Sequence, residues 1–383
     1  MLSISSAFDG GNIAVIEAET PQTIRLAIEK DAHSDFYQWF YFRMTGARGE
    51  ACEIKLENAG GASFTPGWNN YRAVASYDRD SWFRVDTDYT DGTLTITHTP
   101  QSDCVWFAYF APYSMERHHD LMGELTGLDG VEISVLGHTL DGQPLDLVTL
   151  REPASEAMAA AKDKLNLWIT ARQHPGETMA QWWIEGFLGR LTDRNDPVAA
   201  ALLRRANFHV VPNMNPDGSR RGHLRTNAAG INLNREWHEP TLEKSPEVFY
   251  VRNKMDETGV DFALDVHGDE NLPYNFIAGA EGTPGFDDVA TDRLATFKKT
   301  LAAITPDFQT KFGYPVSKPG TANLAICTNQ MAARFGCLAM TLEMPFKDTA
   351  DTPDRDFGWS PERCKRLGEA HLDAIYRCLD ILR

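Results

Sequence analysis

Two short apolar runs constrain the fold most, because each ends just before polar side chains of a metal-binding kind. Residues 165–171 precede His174 and Glu177, and residues 262–266 precede His267. Apolar runs of this length are typical of buried strands. Open α/β sheets place their functional groups at the carboxyl ends of such strands. We therefore expect two imidazoles and one carboxylate to meet at one edge of a sheet.

Two imidazoles and one carboxylate form the ligand set of a catalytic zinc site, which leaves the fourth position for water. A His-x-x-Glu spacing is common by chance, so this interpretation rests on the apolar run that precedes each set of ligands. The six cysteines include no Cys-x-x-Cys pair, which argues against thiolate ligands. We predict one zinc ion bound by His174, Glu177 and His267.

The composition and net charge of the chain argue against some classes of partner and indicate a cellular compartment. The net charge of −17 argues against nucleic acid and anionic membranes as partners, because both attract basic surfaces. The sequence leaves the oligomeric state open. The chain shows neither a basic, apolar leader at its start nor a run of eighteen apolar residues. We expect a cytoplasmic protein with free cysteines.

The pattern of apolar residues changes near residue 129 and predicts two domains. Residues 1–128 contain short aromatic-rich strands with turns about every ten residues, which favours an antiparallel β-sandwich. In residues 129–383 strands alternate with helical stretches, which favours an α/β domain with helices around a mixed sheet.

Further motifs follow the first one in a fixed order. Residues 213–218 contain Asn-Pro-Asp-Gly, which predicts a turn. Asn234 and Arg235 place an amide beside a guanidinium, and Glu343 ends an apolar strand. Together with His-Pro-Gly-Glu, these motifs resemble the zinc metallocarboxypeptidases over roughly residues 131–383.

The Pro-Gly pair between His174 and Glu177 and the aromatic N-terminal part are similar to the cytosolic carboxypeptidase branch. That resemblance implies a β-sandwich followed by an α/β/α zinc carboxypeptidase domain. It also implies that the enzyme hydrolyses the C-termini of peptides or proteins.

The resemblance implies a role for five further residues. Glu343 would be the general base, and later the acid that protonates the leaving amine. Arg225 would polarise the scissile carbonyl group. Asn234 and Arg235 would bind the C-terminal carboxylate of the substrate, since a guanidinium matches a carboxylate bidentately. Tyr314 would cap the substrate.

Two other functions stay open at this point. Aspartoacylase-like zinc deacylases share the two His and one Glu but act on small N-acyl amino acids. An inactive binding module is the other alternative.

The specificity for the last residue of the substrate is a separate question. Relatives in the cytosolic branch remove acidic residues such as glutamate, which requires a cationic pocket. Lys318 and Arg334 are the candidate cations, and Asn323 stands where relatives often have an arginine. We expect a weak preference for acidic residues.

Overall fold

The computed structural model describes residues 1–153 and 164–382. Its N-terminal part contains two five-stranded sheets, with strand orders β1-β4-β10-β6-β7 and β2-β3-β5-β9-β8. All pairs are antiparallel except β3 with β5. The strands are β1 Ser3–Ser5, β2 Ala14–Glu17, β3 Ile24–Ala27, β4 Tyr41–Thr45, β5 Cys52–Leu56, β6 Val74–Ser76, β7 Phe83–Arg84, β8 Asp86–Thr90, β9 Thr93–His98 and β10 Cys104–Ala108.

The two sheets share one apolar core, in which aromatic side chains contact one another. The rings of Phe42 and Phe107 stack at 5.4 Å between centroids, and Leu56 and Ile96 of the second sheet are fully buried. This arrangement confirms the predicted β-sandwich. Helix α1 (Met115–Leu125) follows it, and the predicted domain boundary at residues 128 and 129 falls between this helix and the next strand.

The C-terminal part is built on a seven-stranded mixed sheet of order β11-β12-β14-β13-β15-β17-β16. Strands β14, β13, β15 and β17 are parallel. The strands are β11 Val131–His138, β12 Pro144–Leu150, β13 Leu165–Ala171, β14 Ala206–Val211, β15 Phe262–Asp269, β16 Phe276–Ala278 and β17 Leu338–Pro345. The helices are α2 Met179–Leu191, α3 Pro197–Arg205, α4 Pro216–Arg221, α5 Pro246–Thr258, α6 Asp288–Ile304, α7 Cys327–Phe335 and α8 Pro361–Cys378.

Helices cover both faces of this sheet because its strands are apolar on both faces. Leu167 and Ile169 of β13 pack in the same core as α2, α3, α6 and α8. Trp168, between them in sequence, packs in the second core with α5 and α7. The α/β/α layering confirms the predicted fold class. Among the described residues, no helix is both long and apolar enough to cross a membrane.

One local prediction is wrong. The Asn-Pro-Asp-Gly motif was predicted to be a turn, but it is the start of α4. The side chain of Asn215 accepts a hydrogen bond from the amide of Gly218, and Pro216 occupies the first helical position. Both are helix-start signals, and they compete here with the turn preference of Pro-Asp-Gly.

Helices α2 and α8 approach closely because each presents a glycine to the other. A Cβ on Gly368 would lie 2.3 Å from the carbonyl oxygen of Trp183, and one on Gly186 would lie 2.2 Å from that of Lys365. No side chain fits at either position unless the helices separate. Gly189 of α2, in contrast, has open space around it.

We expect Gly368→Ala to destabilise the protein by about 1–3 kcal/mol, since overpacking forces backbone shifts. Gly189→Ala is the matched control and should stabilise it by up to about 1 kcal/mol through helix propensity. Urea unfolding of both variants measures the difference. Equal effects of the two substitutions would contradict the close approach of α2 and α8.

Candidate active site and metal centre

The three predicted metal ligands meet at the carboxyl edge of the parallel strands. His174 and Glu177 lie in the segment that joins β13 to α2, and His267 lies near the end of β15. Glu343 of β17 is the register partner of His267. All four side chains are buried.

The segment that carries His174 and Glu177 is held by a buried arginine. Arg172 has a φ of 58°, which is uncommon for a residue with a side chain. Its guanidinium donates hydrogen bonds to the carbonyl oxygens of Pro175 at 2.9 Å and Tyr113 at 2.7 Å. These bonds fix the turn that directs His174 toward β15.

The ligand atoms of the triad face one another at short distances. Nδ1 of His174 lies 2.6 Å from Oε1 of Glu177, and Nδ1 of His267 lies 2.7 Å from Oε2 of the same carboxylate. The two Nδ1 atoms are 3.2 Å apart. All the ligand atoms lie within 4.8 Å of one another, as for a shared metal ion.

The outer ring nitrogens show that this cluster suits a cation. Nε2 of His267 lies 2.7 Å from Oδ2 of Asp265, and Nε2 of His174 lies 3.1 Å from Oδ1 of Asn232. Both partners are acceptors, so each Nε2 carries the proton and each Nδ1 directs a lone pair into the cluster. Two lone pairs and a carboxylate in close contact need a positive charge between them. Partners of this kind orient histidine ligands in zinc sites.

The electrostatics show that the triad holds a positive charge. Burial lowers the pKa of His267, but Asp265 and Glu177 raise it well above its ordinary value, so Nδ1 of His267 binds either a proton or a metal ion. Burial and the positive charge of Arg225 lower the pKa of His174 to about 4, so its imidazole is neutral and able to bind metal. Burial alone would raise the pKa of Glu177, but His174 and His267 lower it below its ordinary value. Glu177 is therefore an anion.

All eight predicted site residues line one cleft. The structure brings together His174, Glu177, His267, Glu343, Arg225, Asn234, Arg235 and Tyr314. Their individual roles stay predictions, and the positions of the side chains set what each can do.

Glu343 is the predicted base, and one of its oxygens is free. Oε2 of Glu343 is buried without a hydrogen-bond partner among the described residues. Burial and the nearby charges of Glu177, Asp269 and Glu270 raise the pKa of Glu343 well above its ordinary value, against the effect of His267. A divalent cation in the triad would counter this shift.

The residues predicted to bind substrate differ in what their polar groups contact. Oδ1 of Asn234 accepts a hydrogen bond from the amide of Cys327 at 2.8 Å, which leaves its NH₂ group as the donor. Arg225 and Arg235 form no ion pair among the described residues. Tyr314 donates a hydrogen bond to Oδ2 of Asp269 at 2.6 Å.

The prediction that Lys318 or Arg334 provides the positive charge of a specificity pocket is wrong. Lys318 is exposed and does not line the cleft. Arg334 pairs with Asp256 at 2.6 Å on the outer surface. Asn323 is also exposed and outside the cleft lining.

Several residues in the cleft or beside the triad were not anticipated from the sequence. Asp265 could have been found, because residues two apart in a strand share a face and it precedes His267 by two. Glu270 and Lys298 line the cleft, but no local pattern marks them. They reach it through the long-range packing of β15 and α6.

Comparison with known proteins identifies the family. Residues 126–350 match the zinc carboxypeptidase family. The chain belongs to that family. Residues 4–110 match the cytosolic carboxypeptidase N-terminal domain, which confirms the predicted branch.

Individual relatives agree with this assignment. An uncharacterised protein of Zymomonas mobilis is 54% identical over 100% of this chain and 97% of its own. Human cytosolic carboxypeptidase 1 is 26% identical over 85% of this chain, which spans only 31% of that relative. The metallo-carboxypeptidase of Pseudomonas aeruginosa, solved with (2-guanidinoethylmercapto)succinic acid, is 44% identical with a TM-score of 0.95 and full coverage of both chains. The protein is therefore a metallocarboxypeptidase, and its family implies zinc.

Asp265 offers a test of the metal centre. Asp265→Asn removes the negative charge that holds Nε2–H of His267, and we expect zinc affinity to fall by about 10–100-fold. Competition with a chromophoric chelator measures the dissociation constant of zinc. Asp256→Asn, at a surface ion pair, is the control. An unchanged zinc affinity in Asp265→Asn would show that Asp265 does not orient a ligand.

Proposed function

We propose that this enzyme removes single C-terminal residues from peptides or proteins, using one zinc ion bound by His174, Glu177 and His267. The observation that supports it is that, among the described residues, one cleft holds the triad, a Glu343 oxygen without a hydrogen-bond partner and two arginines without carboxylate partners. When bound, zinc polarises a carbonyl group and makes a water molecule more acidic.

Glu343 supplies the proton transfers. Its free Oε2 accepts a proton from the attacking water, and the protonated carboxyl group then donates it to the leaving amine. The carboxyl group of Glu343 holds the proton between these two steps.

Arg225, Asn234 and Arg235 supply the fixed donors. Arg225 meets the negative charge that develops on the scissile carbonyl oxygen. Arg235 and the NH₂ group of Asn234 bind the substrate carboxylate. Tyr314 covers the substrate from the exposed loop. A residue in the middle of a chain offers no carboxylate, so this grip restricts cleavage to the last peptide bond.

The two other functions gain no support. The match to the zinc carboxypeptidase family over residues 126–350 does not favour an aspartoacylase-like deacylase. An inactive binding module would not require both the metal triad and the general base, and the cleft contains both.

We also propose that the enzyme acts in the cytoplasm. The branch is named for cytosolic enzymes, and all six cysteines are unpaired thiols, as is usual in a reducing compartment.

The proposed binding of the substrate carboxylate by Arg235 and Asn234 can be tested with a substrate that lacks this carboxylate. Replacing the free C-terminus of a peptide by an amide removes the charge that Arg235 binds and leaves the arginine without a partner. We expect a loss of about 2–4 kcal/mol, which is about 30-fold to 1000-fold in kcat/KM. Mass spectrometry of the released residue measures both substrates.

Two variants control this comparison. Arg235→Gln should reduce the difference between free and amidated peptides, and Glu343→Gln should be inactive toward both. Comparable cleavage of the two peptides by the unmodified enzyme would remove the carboxypeptidase proposal.

We propose further that Lys298 provides the preference for acidic residues. It is half-buried on α6 and, besides Arg225 and Arg235, is the remaining Lys or Arg among the described residues that line the cleft. No ion pair of Lys298 occurs in the described part of the chain, so its charge is available. Glu281 also lines the cleft and would oppose the binding of an acidic side chain.

A glutamate side chain gains a charge-assisted bond of about 1.5–3 kcal/mol, where glutamine gains about 1 kcal/mol. We therefore expect peptides ending in glutamate to be hydrolysed about 2-fold to 30-fold faster than those ending in glutamine. Lys298→Met should abolish this ratio, and Lys299→Met, at an exposed neighbour on α6, should preserve it. Fastest release of lysine, lost in Glu281→Gln, would show that the pocket selects basic residues.

A further inference from the structure

A buried carboxylate of the N-terminal domain binds the segment that carries Arg225. Asp31, in the connection between β3 and β4, is 2% exposed. It accepts hydrogen bonds from the backbone amides of Leu224 at 2.6 Å, Arg225 at 2.8 Å and Thr226 at 2.9 Å. The hydroxyl of Thr226 donates a fourth bond at 3.0 Å. Three successive amides that converge on one anion fix the backbone on both sides of Arg225.

Neighbouring contacts hold the same segment from both sides. The amide of Ala32 donates to Nε2 of His223 at 3.0 Å, and Nδ1 of that ring donates to the carbonyl oxygen of Thr226 at 2.9 Å. On the far side, a Cβ on Gly230 would lie 2.4 Å from the carbonyl oxygen of His33. The backbones of the two domains are therefore in direct contact here.

The N-terminal domain also confines the side chain of Arg225. Its guanidinium lies over the ring of Phe36, at 5.5 Å, and over that of Phe64, at 5.4 Å. Aromatic faces attract a guanidinium and limit its rotation. Since Arg225 forms no ion pair among the described residues, these rings and the fixed backbone determine where its charge points.

We infer that Asp31 is a positioning residue for catalysis, which holds the Arg225 segment so that the guanidinium faces the scissile carbonyl group. This inference rests on the proposed role of Arg225. A misplacement of about 1 Å in a positioning group can reduce the rate by about 100-fold, so a bond network around one backbone segment has a large effect on turnover. The N-terminal domain thereby contributes to the active site of the other domain.

Amide hydrogen exchange tests the contact without any substrate. Asp31→Asn keeps the size of the side chain but removes the negative charge and one acceptor oxygen. We expect the amides of Leu224, Arg225 and Thr226 to exchange at least about tenfold faster in this variant. Asp35→Asn is the matched control, because Asp35 is exposed on the same connection and its ion-pair partner among the described residues is Lys30. Unchanged exchange in Asp31→Asn would overturn the inference.

Steady-state kinetics on a peptide ending in glutamate test the consequence. We expect Asp31→Asn to lower kcat by about 10-fold to 100-fold, with KM within about threefold of wild type and zinc content unchanged. Asp35→Asn should match wild type. A kcat within twofold of wild type in Asp31→Asn would contradict the inference.

A double-mutant cycle separates positioning from general damage. If Asp31 acts through Arg225, adding Asp31→Asn to Arg225→Ala should lower kcat by less than about twofold more. A further loss as large as in the wild-type background would show that Asp31 supports the whole domain instead. If Arg225→Ala itself keeps full activity, the proposed role of Arg225 fails, while the exchange result still reports on the contact.

Should Asp31→Asn fail to fold, Thr226→Val removes only the hydroxyl donor to Asp31. Faster exchange of the same three amides together with a lower kcat would then support the inference. Wild-type values of both would overturn it.

Discussion

The structure depends on one close contact, in which two imidazole lone pairs and a carboxylate face one another inside a buried cluster. Such a contact is unfavourable unless a cation lies between the groups. Asn232 and Asp265 contact the Nε2 atoms of His174 and His267 and thereby keep both Nδ1 atoms directed into this contact. The parallel strands bring these residues together, since β13 and β15 are neighbours and end at the same edge of the sheet.

The features that the sequence predicted well are those with a local pattern. The apolar runs predicted β13 and β15, and the triad follows from what comes after each run. The helical stretches predicted after residue 129 include α2, which ends at Leu191 and whose apolar residues recur at helical spacing. Motif order then pointed to the family, which the match over residues 126–350 confirms.

The features that sequence reasoning missed depend on contacts between distant segments. Phe36 precedes β4, which begins at Tyr41, and its ring contacts Arg225 of the other domain. Lys298 enters the cleft because α6 packs beside the sheet, whereas Lys318 and Arg334 are closer in sequence to Glu343 yet face outward. Patterns of neighbouring residues in the sequence do not predict where these side chains lie.

The triad is expected to bind one metal ion through a defined ligand atom from each of its three residues. Crystals of the zinc-loaded protein, measured at the zinc absorption edge, locate that ion directly. We expect a single anomalous peak within about 2.0–2.2 Å of Nδ1 of His174, Nδ1 of His267 and a carboxylate oxygen of Glu177. A peak bound through Nε2, a second peak of equal height in the cleft, or no peak at the triad would contradict the account.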